Sequence, residues 1–322
     1  MNDIKKTLLA VALAVTASSV MAQDTYPAKP VSIVVGFAAG GSTDLLARTL
    51  AKELSEQFKQ TFIVENKPGA NSNVAHTYVA RAAADGYTLL MVPFGLAVNQ
   101  YLYKGQKYTL DSFAPIALVA QVPNVLVVNK NLPVSDVKGY VAYSKANPKA
   151  VSYGSPGVGS SLHLGGELFR QATGAQILHV PFNGSGPSLM AVRAGDVTSA
   201  FDNLSTAAPM IRTGDLKALA VTGAKRSDAF PELPTVAESG YPQYEISSYF
   251  GLAAPAGTPP AIVNKLNAAV MKAVTSPAFQ AQFKTLGAYV DPNTPAEFSA
   301  FLHKESEKWK QVVETSGIDL SN

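Results

Sequence analysis

Short apolar runs rich in valine and isoleucine alternate along this chain with glycine- and serine-rich loops and helix-period stripes, and that order restricts the fold more than any other feature. Residues 31–35 form an uninterrupted apolar run ending at Gly36. Within 44–58, Leu46, Leu50, Leu54 and Phe58 recur four apart on one helical stripe. A run apolar on both faces reads as a strand buried in a parallel sheet, and the stripe reads as the helix that covers it. The order repeats with a strand at 61–65, a helix at 75–84 and a strand at 87–92, so parallel βαβ pairing is expected. A second series places strands at 116–122, 125–128, 151–153, 177–180, 198–201 and 217–221. The chain has 322 residues, more than one hydrophobic core usually serves, and two lobes follow from that length.

Residues 1–23 carry Lys5 and Lys6, an apolar stretch at 8–15 and small residues up to Ala22. This pattern predicts a secretory signal peptide cut after Ala22, with an apolar run too short to cross a bilayer. The chain has no cysteine, which excludes a lipid anchor at the cut, disulfides and thiolate ligands. The expected product is a periplasmic protein free in solution, and a monomer. A formal charge of +3 without blocks of like charge gives no footprint for nucleic acid or an anionic membrane surface.

The C-terminal region is punctuated as helices. Thr258 reads as an N-cap with Pro259 at the first helical position, ahead of a stripe of Ile262, Leu266, Ala269 and Ala273. Ser276 and Pro277 repeat the start signal, with Gly287 as the stop. Thr294 and Glu297 form a capping box for a helix whose Phe298, Phe301, Leu302, Trp309 and Val312 face inward.

Four loops share one chemistry: residues 36–43, residues 154–161, the run Asn183, Gly184, Ser185, Gly186, and residues 201–205 around Asp202. Each lies between an expected strand and a helix start. There, unpaired N–H groups and the helix dipole bind carboxylate or phosphate without a cationic side chain, and glycine lets the anion approach. Catalytic and cofactor motifs fail by contrast. Ser42 stands where a P-loop needs lysine, Leu162 breaks a dinucleotide fingerprint, and no serine sits in G-x-S-x-G. The four histidines, at 76, 163, 179 and 303, show no metal-ligand spacing. No catalytic residue, metal or cofactor is assigned.

Motifs along nearly the whole mature chain carry a family resemblance. They include Tyr26-Pro27-Ala28-Lys29-Pro30, the 36–44 loop, Val64-Glu65-Asn66-Lys67-Pro68-Gly69-Ala70, Ala84-Asp85-Gly86-Tyr87, His179-Val180-Pro181-Phe182, Phe201-Asp202-Asn203 and the 251–259 segment. In these the chain resembles the extracytoplasmic receptors of tripartite tricarboxylate transporters, the Bug family. The resemblance implies a two-lobed α/β periplasmic binding protein of the type II-like, Venus flytrap kind, each lobe a mostly parallel sheet flanked by helices. Lobe 1 is expected at 23–121 plus 228–322 and lobe 2 at 122–227. The partners implied are a small carboxylated ligand and the membrane subunits of such a transporter.

By the family pattern Phe37, Ala38, Ala39, Gly40, Gly41, Ser42 and Thr43 hold one end of the ligand. Ser155, Pro156, Gly157, Ser160 and Ser161, with Asn183, Gly184 and Ser185, hold a carboxylate from the other lobe, while His163, near a helix start, either donates to the ligand or makes a structural hydrogen bond. Phe94, Phe37 and Phe182 are read either as flanking a flat acid or as core. Asp202 either accepts from a ligand amine or hydroxyl or caps its own loop. The sequence departs from the family at Asn71-Ser72-Asn73, where glycines are usual, and at Asn183, where a basic residue is frequent. An exported hydrolase and a ligand-binding protein for a membrane sensor are the alternative readings. Changing Ser160 and Ser161 together to alanine is expected to weaken binding with little effect on the empty protein.

Overall fold

The computed structural model describes residues 26–316 except Ala38 and Gly41, so the signal-peptide assignment lies outside the described residues. Strand β1 (Val31–Val35) leads to α1 (Ser42–Phe58), β2 (Phe62–Asn66), α2 (Asn73–Ala80), β3 (Thr88–Pro93) and α3 (Gly95–Leu102). The long strand β4 (Phe113–Asn129) is followed by α4 (Val137–Ala146), β5 (Ser152–Ser155), α5 (Ser161–Thr173), β6 (Leu178–Pro181) and α6 (Ser185–Ala194). Next come β7 (Ser199–Asn203), α7 (Leu204–Arg212), β8 (Leu216–Val221) and β9 (Ser247–Pro255). Helices α8 (Pro260–Val274), α9 (Pro277–Leu286) and α10 (Pro295–Ser316) complete the described chain.

The strands join in the order β2-β1-β3-β9-β4-β7-β5-β6, with β8 also on β4. Pairing is parallel among β2, β1 and β3 and among β6, β5 and β7, as the βαβ order predicts. Strands β9 and β4 run antiparallel to their neighbours and couple the two parallel sets. The sequence reading split β4 at Pro123. Instead the strand continues through it, because Pro123, opposite Ser247, sits where β4 exchanges β9 for β7 and β8. Proline is tolerated at such a change of partner, and two bulges earlier in the β4–β9 ladder absorb its irregular register.

Three other expectations shift. Helix α2 stops at Ala80 rather than at 84, with the Ala82 N–H turned back onto the Val79 carbonyl. Pro259, not Thr258, is the N-cap of α8, and Pro260 is the first helical residue. The 201–205 segment is not a loop: β7 runs to Asn203, which is itself the N-cap of α7. The remaining punctuation holds, with Ser276 accepting from the Phe279 N–H, Gly287 in the left-handed conformation, and the Thr294–Glu297 capping box closed.

Helix α10 returns across the molecule and buries Trp309 completely. Its indole donates to Glu305 at 2.8 Å and meets the Phe94 ring edge-on at 5.1 Å, so the last helix supports the residue that opens α3. Gly251, central in β9, lies beneath Phe298 of the same helix. A Cβ there would stand 2.2 Å from that ring and 2.9 Å from the Ala117 carbonyl. Gly251→Ala is therefore expected to lower stability by about 1–3 kcal/mol through overpacking, read as a fall in urea midpoint with unchanged m-value.

Histidines 76, 163 and 179 are held neutral by burial, which lowers them to about 3, about 4 and about 3 from an ordinary 6.5. The unfolded chain takes up these protons below pH 6.5 and the folded one does not, so stability present at neutral pH is lost as pH falls. Asp202, pushed up to about 6 by burial, acts in the opposite sense over the same range, one group against three. The melting temperature is expected to fall between pH 7 and pH 4.5, and His179→Gln to reduce that fall by about half. An unchanged pH slope in that variant would refute the histidine account.

Candidate functional site

Where the two parallel sets meet, a cavity of about 550 Å³ opens between the loops at the ends of the strands. Its wall includes the first residues of five helices: Ser42 and Thr43 of α1, Gly95 of α3, Ser161 and Leu162 of α5, Ser185 and Gly186 of α6, and Thr206 in the first turn of α7. Each such end presents N–H groups without intrahelical acceptors and the positive end of a helix dipole. No residue that lines the cavity, among those described, carries a charge. A negative ligand there is neutralised by backbone, and by polar side chains, rather than by a cation.

Most residues singled out in the sequence reach this wall. Phe37, Gly40, Ser42, Thr43 and Phe94 line it from one side. Pro156, Gly157, Ser160, Ser161, Gly184 and Ser185 line it from the other. Ala38 and Gly41 lie outside the described residues. Ala39 and Asn183 are exposed and off the wall, and Phe182 stands behind it, close to Gly154. The 36–43 loop is fixed by Asp44, which accepts from the Gly40 N–H at 3.0 Å, from Arg48 at 2.8 Å and from Asn66 at 2.9 Å.

Ser155, His163 and His179 form a support beneath the second loop instead of lining the cavity. Ser155 is fully buried, and its hydroxyl lies 2.7 Å from His179 Nε2. The two imidazoles stack with centroids 3.9 Å apart, and His163 Nδ1 accepts from the Gly159 N–H at 3.1 Å. That bond requires His163 to be neutral with its proton on Nε2. The Ser155–His179 pair resembles a nucleophile and base in distance alone, since no substrate reaches the buried hydroxyl. Ser160 caps α5 by accepting from the His163 N–H and donates to the Gly157 carbonyl at 2.7 Å. The cap makes the double change of Ser160 and Ser161 to alanine an expected cost to the stability of the empty protein as well, where the sequence reading expected little.

Asp202 is fully buried behind the wall, where it accepts from the Asn203 N–H at 2.7 Å and from the Thr206 hydroxyl. Burial pushes its carboxyl up to about 6 although Thr206, Ser185 and the Asn203 N–H favour the charged form. Of its two open roles, these contacts favour the local cap. Sequence reasoning flagged Asn71 as a departure from the family pattern and Asn203 as part of a candidate loop, without a ligand role, and it missed Ser248, Tyr249 and Phe250, all on the wall. Ser248 is a junction: its hydroxyl stands 2.9 Å from Ser161 Oγ, from Asn124 Oδ1 and from Asn203 Oδ1. The available signal was the polar Ser247-Ser248 pair ahead of aromatic Tyr249-Phe250, which marks a strand start at a polar site.

Comparison with known proteins agrees with this geometry. Residues 46–318 match the family model of the tripartite tricarboxylate transporter family receptor. Protein BugT of Bordetella pertussis is 38% identical over 300 residues, covering 92% of this chain and 92% of that one. An adipate-bound protein of R. palustris superposes with a TM-score of 0.84 at 38% identity, covering 92% of this chain and 100% of that one. The malate-bound MatC protein of Rhodopseudomonas palustris gives 0.80 at 32% identity, with 89% and 100% covered. The periplasmic binding protein BugD gives 0.81 at 35% identity, with 91% and 99% covered. The matched family is one of solute receptors, not of enzymes, and its fold is the two-lobed α/β binding-protein fold expected from the sequence. With its family model covering most of its length and relatives matched nearly end to end, the chain belongs to the tripartite tricarboxylate transporter receptor family, the Bug proteins.

Proposed function

We propose that this protein is exported to the periplasm, captures a small carboxylate in the cavity between its lobes, and delivers it to the membrane subunits of a tripartite tricarboxylate-type transporter. The observation that carries the reading is the convergence of five helix N-termini on one cavity without a charged side chain in its wall. Such a site suits an anion that must be released as well as bound, because hydrogen-bond donors fixed in the backbone hold it without a salt bridge. Adipate and malate, held by two relatives, have the size and charge that this cavity accommodates.

In this reading α5 and α6 face one carboxylate through Ser161, Ser185 and Gly186, and the loop that opens α1 takes the opposite end of the ligand. Phe37, Phe94, Tyr249 and Phe250 flank the carbon skeleton between them. The lobes comprise 23–121 with 228–322, and 122–227, and the protein acts as a monomer. Hinge closure between them buries the ligand and gives the membrane partner a shape to distinguish from the empty receptor.

A thermal-shift screen of residues 23–322 against adipate, malate and other mono-, di- and tricarboxylates tests the assignment. A ligand at about 100 times its Kd adds about 2.7 kcal/mol, an upward shift of about 5 °C for a chain of this size. Gly186 lines the cavity in the first turn of α6, and a Cβ there meets nothing within 4 Å. Gly186→Phe is expected to fill the cavity, abolish the shift and leave the melting temperature of the empty protein within about 2 °C. Absence of a shift with every acid, after refolding to remove retained ligand, would overturn the carboxylate assignment.

A further inference from the structure

The run Asn71-Ser72-Asn73, where the family pattern favours glycines, is held in an unusual way. Ala70, Asn71 and Ser72 have φ of 46, 48 and 73°, three consecutive residues in the left-handed region that L side chains rarely adopt. Such a run persists only where its surroundings over-determine it. Here the Asn99 amide, fully buried, donates to the Asn71 carbonyl at 2.8 Å and to Asn73 Oδ1 at 3.0 Å, and its own Oδ1 accepts from Asn71 Nδ2 at 2.9 Å. Tyr108 also donates to Asn73 Oδ1, and the buried His76 stands 2.6 Å behind Tyr108. The network aims the second Asn71 amide proton across the cavity, where it meets the Gly159 carbonyl at 2.9 Å.

Gly159 belongs to the other lobe, in the loop that His163 supports from below and that leads into α5. We propose that Asn71 is a built-in clasp between the lobes, closing the cleft over the α5 start without ligand present. Other hydrogen bonds that join the lobes include one at α10, from Gln171 to the Val312 carbonyl, and those on the crossing strand β9, where Ser248 meets Ser161, Asn124 and Asn203. The Asn71 bond instead joins the loop after β2 to the loop before α5, apart from α10 and the crossing strands, and it breaks when the lobes part. Both amide protons of Asn71 are committed to protein acceptors, so the side chain gives the ligand no donor, and its role is to set the balance of open and closed forms. The clasp rests on the closing-cleft reading but not on the identity of the ligand.

The chain lacks cysteine, so Lys52→Cys on α1 and Met190→Cys on α6, both at exposed positions in opposite lobes, give two unique dye sites. Single-molecule energy transfer on this labelled protein, without ligand, reads the closed fraction directly. Asn71→Gly removes the clasp and suits the left-handed backbone, so the lobe still folds. The closed-to-open ratio is expected to fall about fivefold, the equivalent of one hydrogen bond of about 1 kcal/mol, with a modest fall in melting temperature because Asn99 Oδ1 loses its donor. Asn71→Asp, which keeps size and loses both amide donors, is expected to fall at least as far. An unchanged ratio in the two variants would overturn the proposal, as would a parent protein that shows no closed population without ligand. A lower melting temperature with an unchanged ratio would do the same, because it would assign the asparagine network to lobe stability alone.

Discussion

Strands β4 and β9 lie antiparallel side by side, and the rest of the molecule takes its position from that pair. From Phe113 to Pro123 the β4 backbone is bonded to β9, and from Asn124 to Asn129 it is bonded to β7 and β8. One continuous strand thus belongs to both parallel sets. In the proposed closure the sets tilt about the short stretch where the partners change, because peptide hydrogen bonds fix the backbone on either side. Ser248 occupies that stretch, tied to β4 through Asn124, to the α7 start through Asn203 and to α5 through Ser161. The cavity wall and the hinge of the proposed closure therefore share the same side chain.

The direction of the βα units explains why five helix starts converge. In a parallel sheet every strand ends at the same edge and every following helix begins there, so the dipoles of a set point their positive ends toward one side. Two such sets, joined by an antiparallel pair, face each other with those edges inward. The cavity receives positive potential without a lysine or arginine in its wall, and a ligand that leaves does not strand a buried cation. In the proposed receptor, selectivity then rests on the length between donors and on the shape of the apolar walls. Phe94 is held for that purpose by Trp309 from behind.

Periodicity and turn chemistry showed most of this in the sequence, but unevenly. The parallel strands were legible because valine-rich runs end at glycines, and α8, α9 and α10 because their caps are explicit. Strand β9 was not, since Ser247–Pro255 is rich in alanine and serine and carries Gly251, where low side-chain volume is needed beneath Phe298. The site was legible as loops, because the glycine and serine composition of helix starts has a direct physical meaning. It was less legible as individual residues. His163 and Ser155 carry polar groups that a ligand would use, but each is spent on holding the loop, and only tertiary contacts decide that. Ser248 gave the opposite error, being an ordinary residue whose position comes from distant chain, and Asn71 stood out only as a departure from the family pattern.

The asparagine run after Ala70 shows how such a position is maintained. Gly36, at the end of β1, packs against Ser72 so closely that a Cβ would stand 2.3 Å from its hydroxyl, and Ser72 donates to the Gly36 carbonyl. The left-handed turn is thus pressed against the first strand on one side and bonded to Asn99 of α3 on the other. Glycines in this run would adopt the same backbone with less strain but would lose more entropy on folding and offer no amide to Asn99. The asparagines replace conformational freedom with a fixed polar network. Its one free reach is toward the opposite lobe, so the rigidity of this turn is converted into a contact across the cavity.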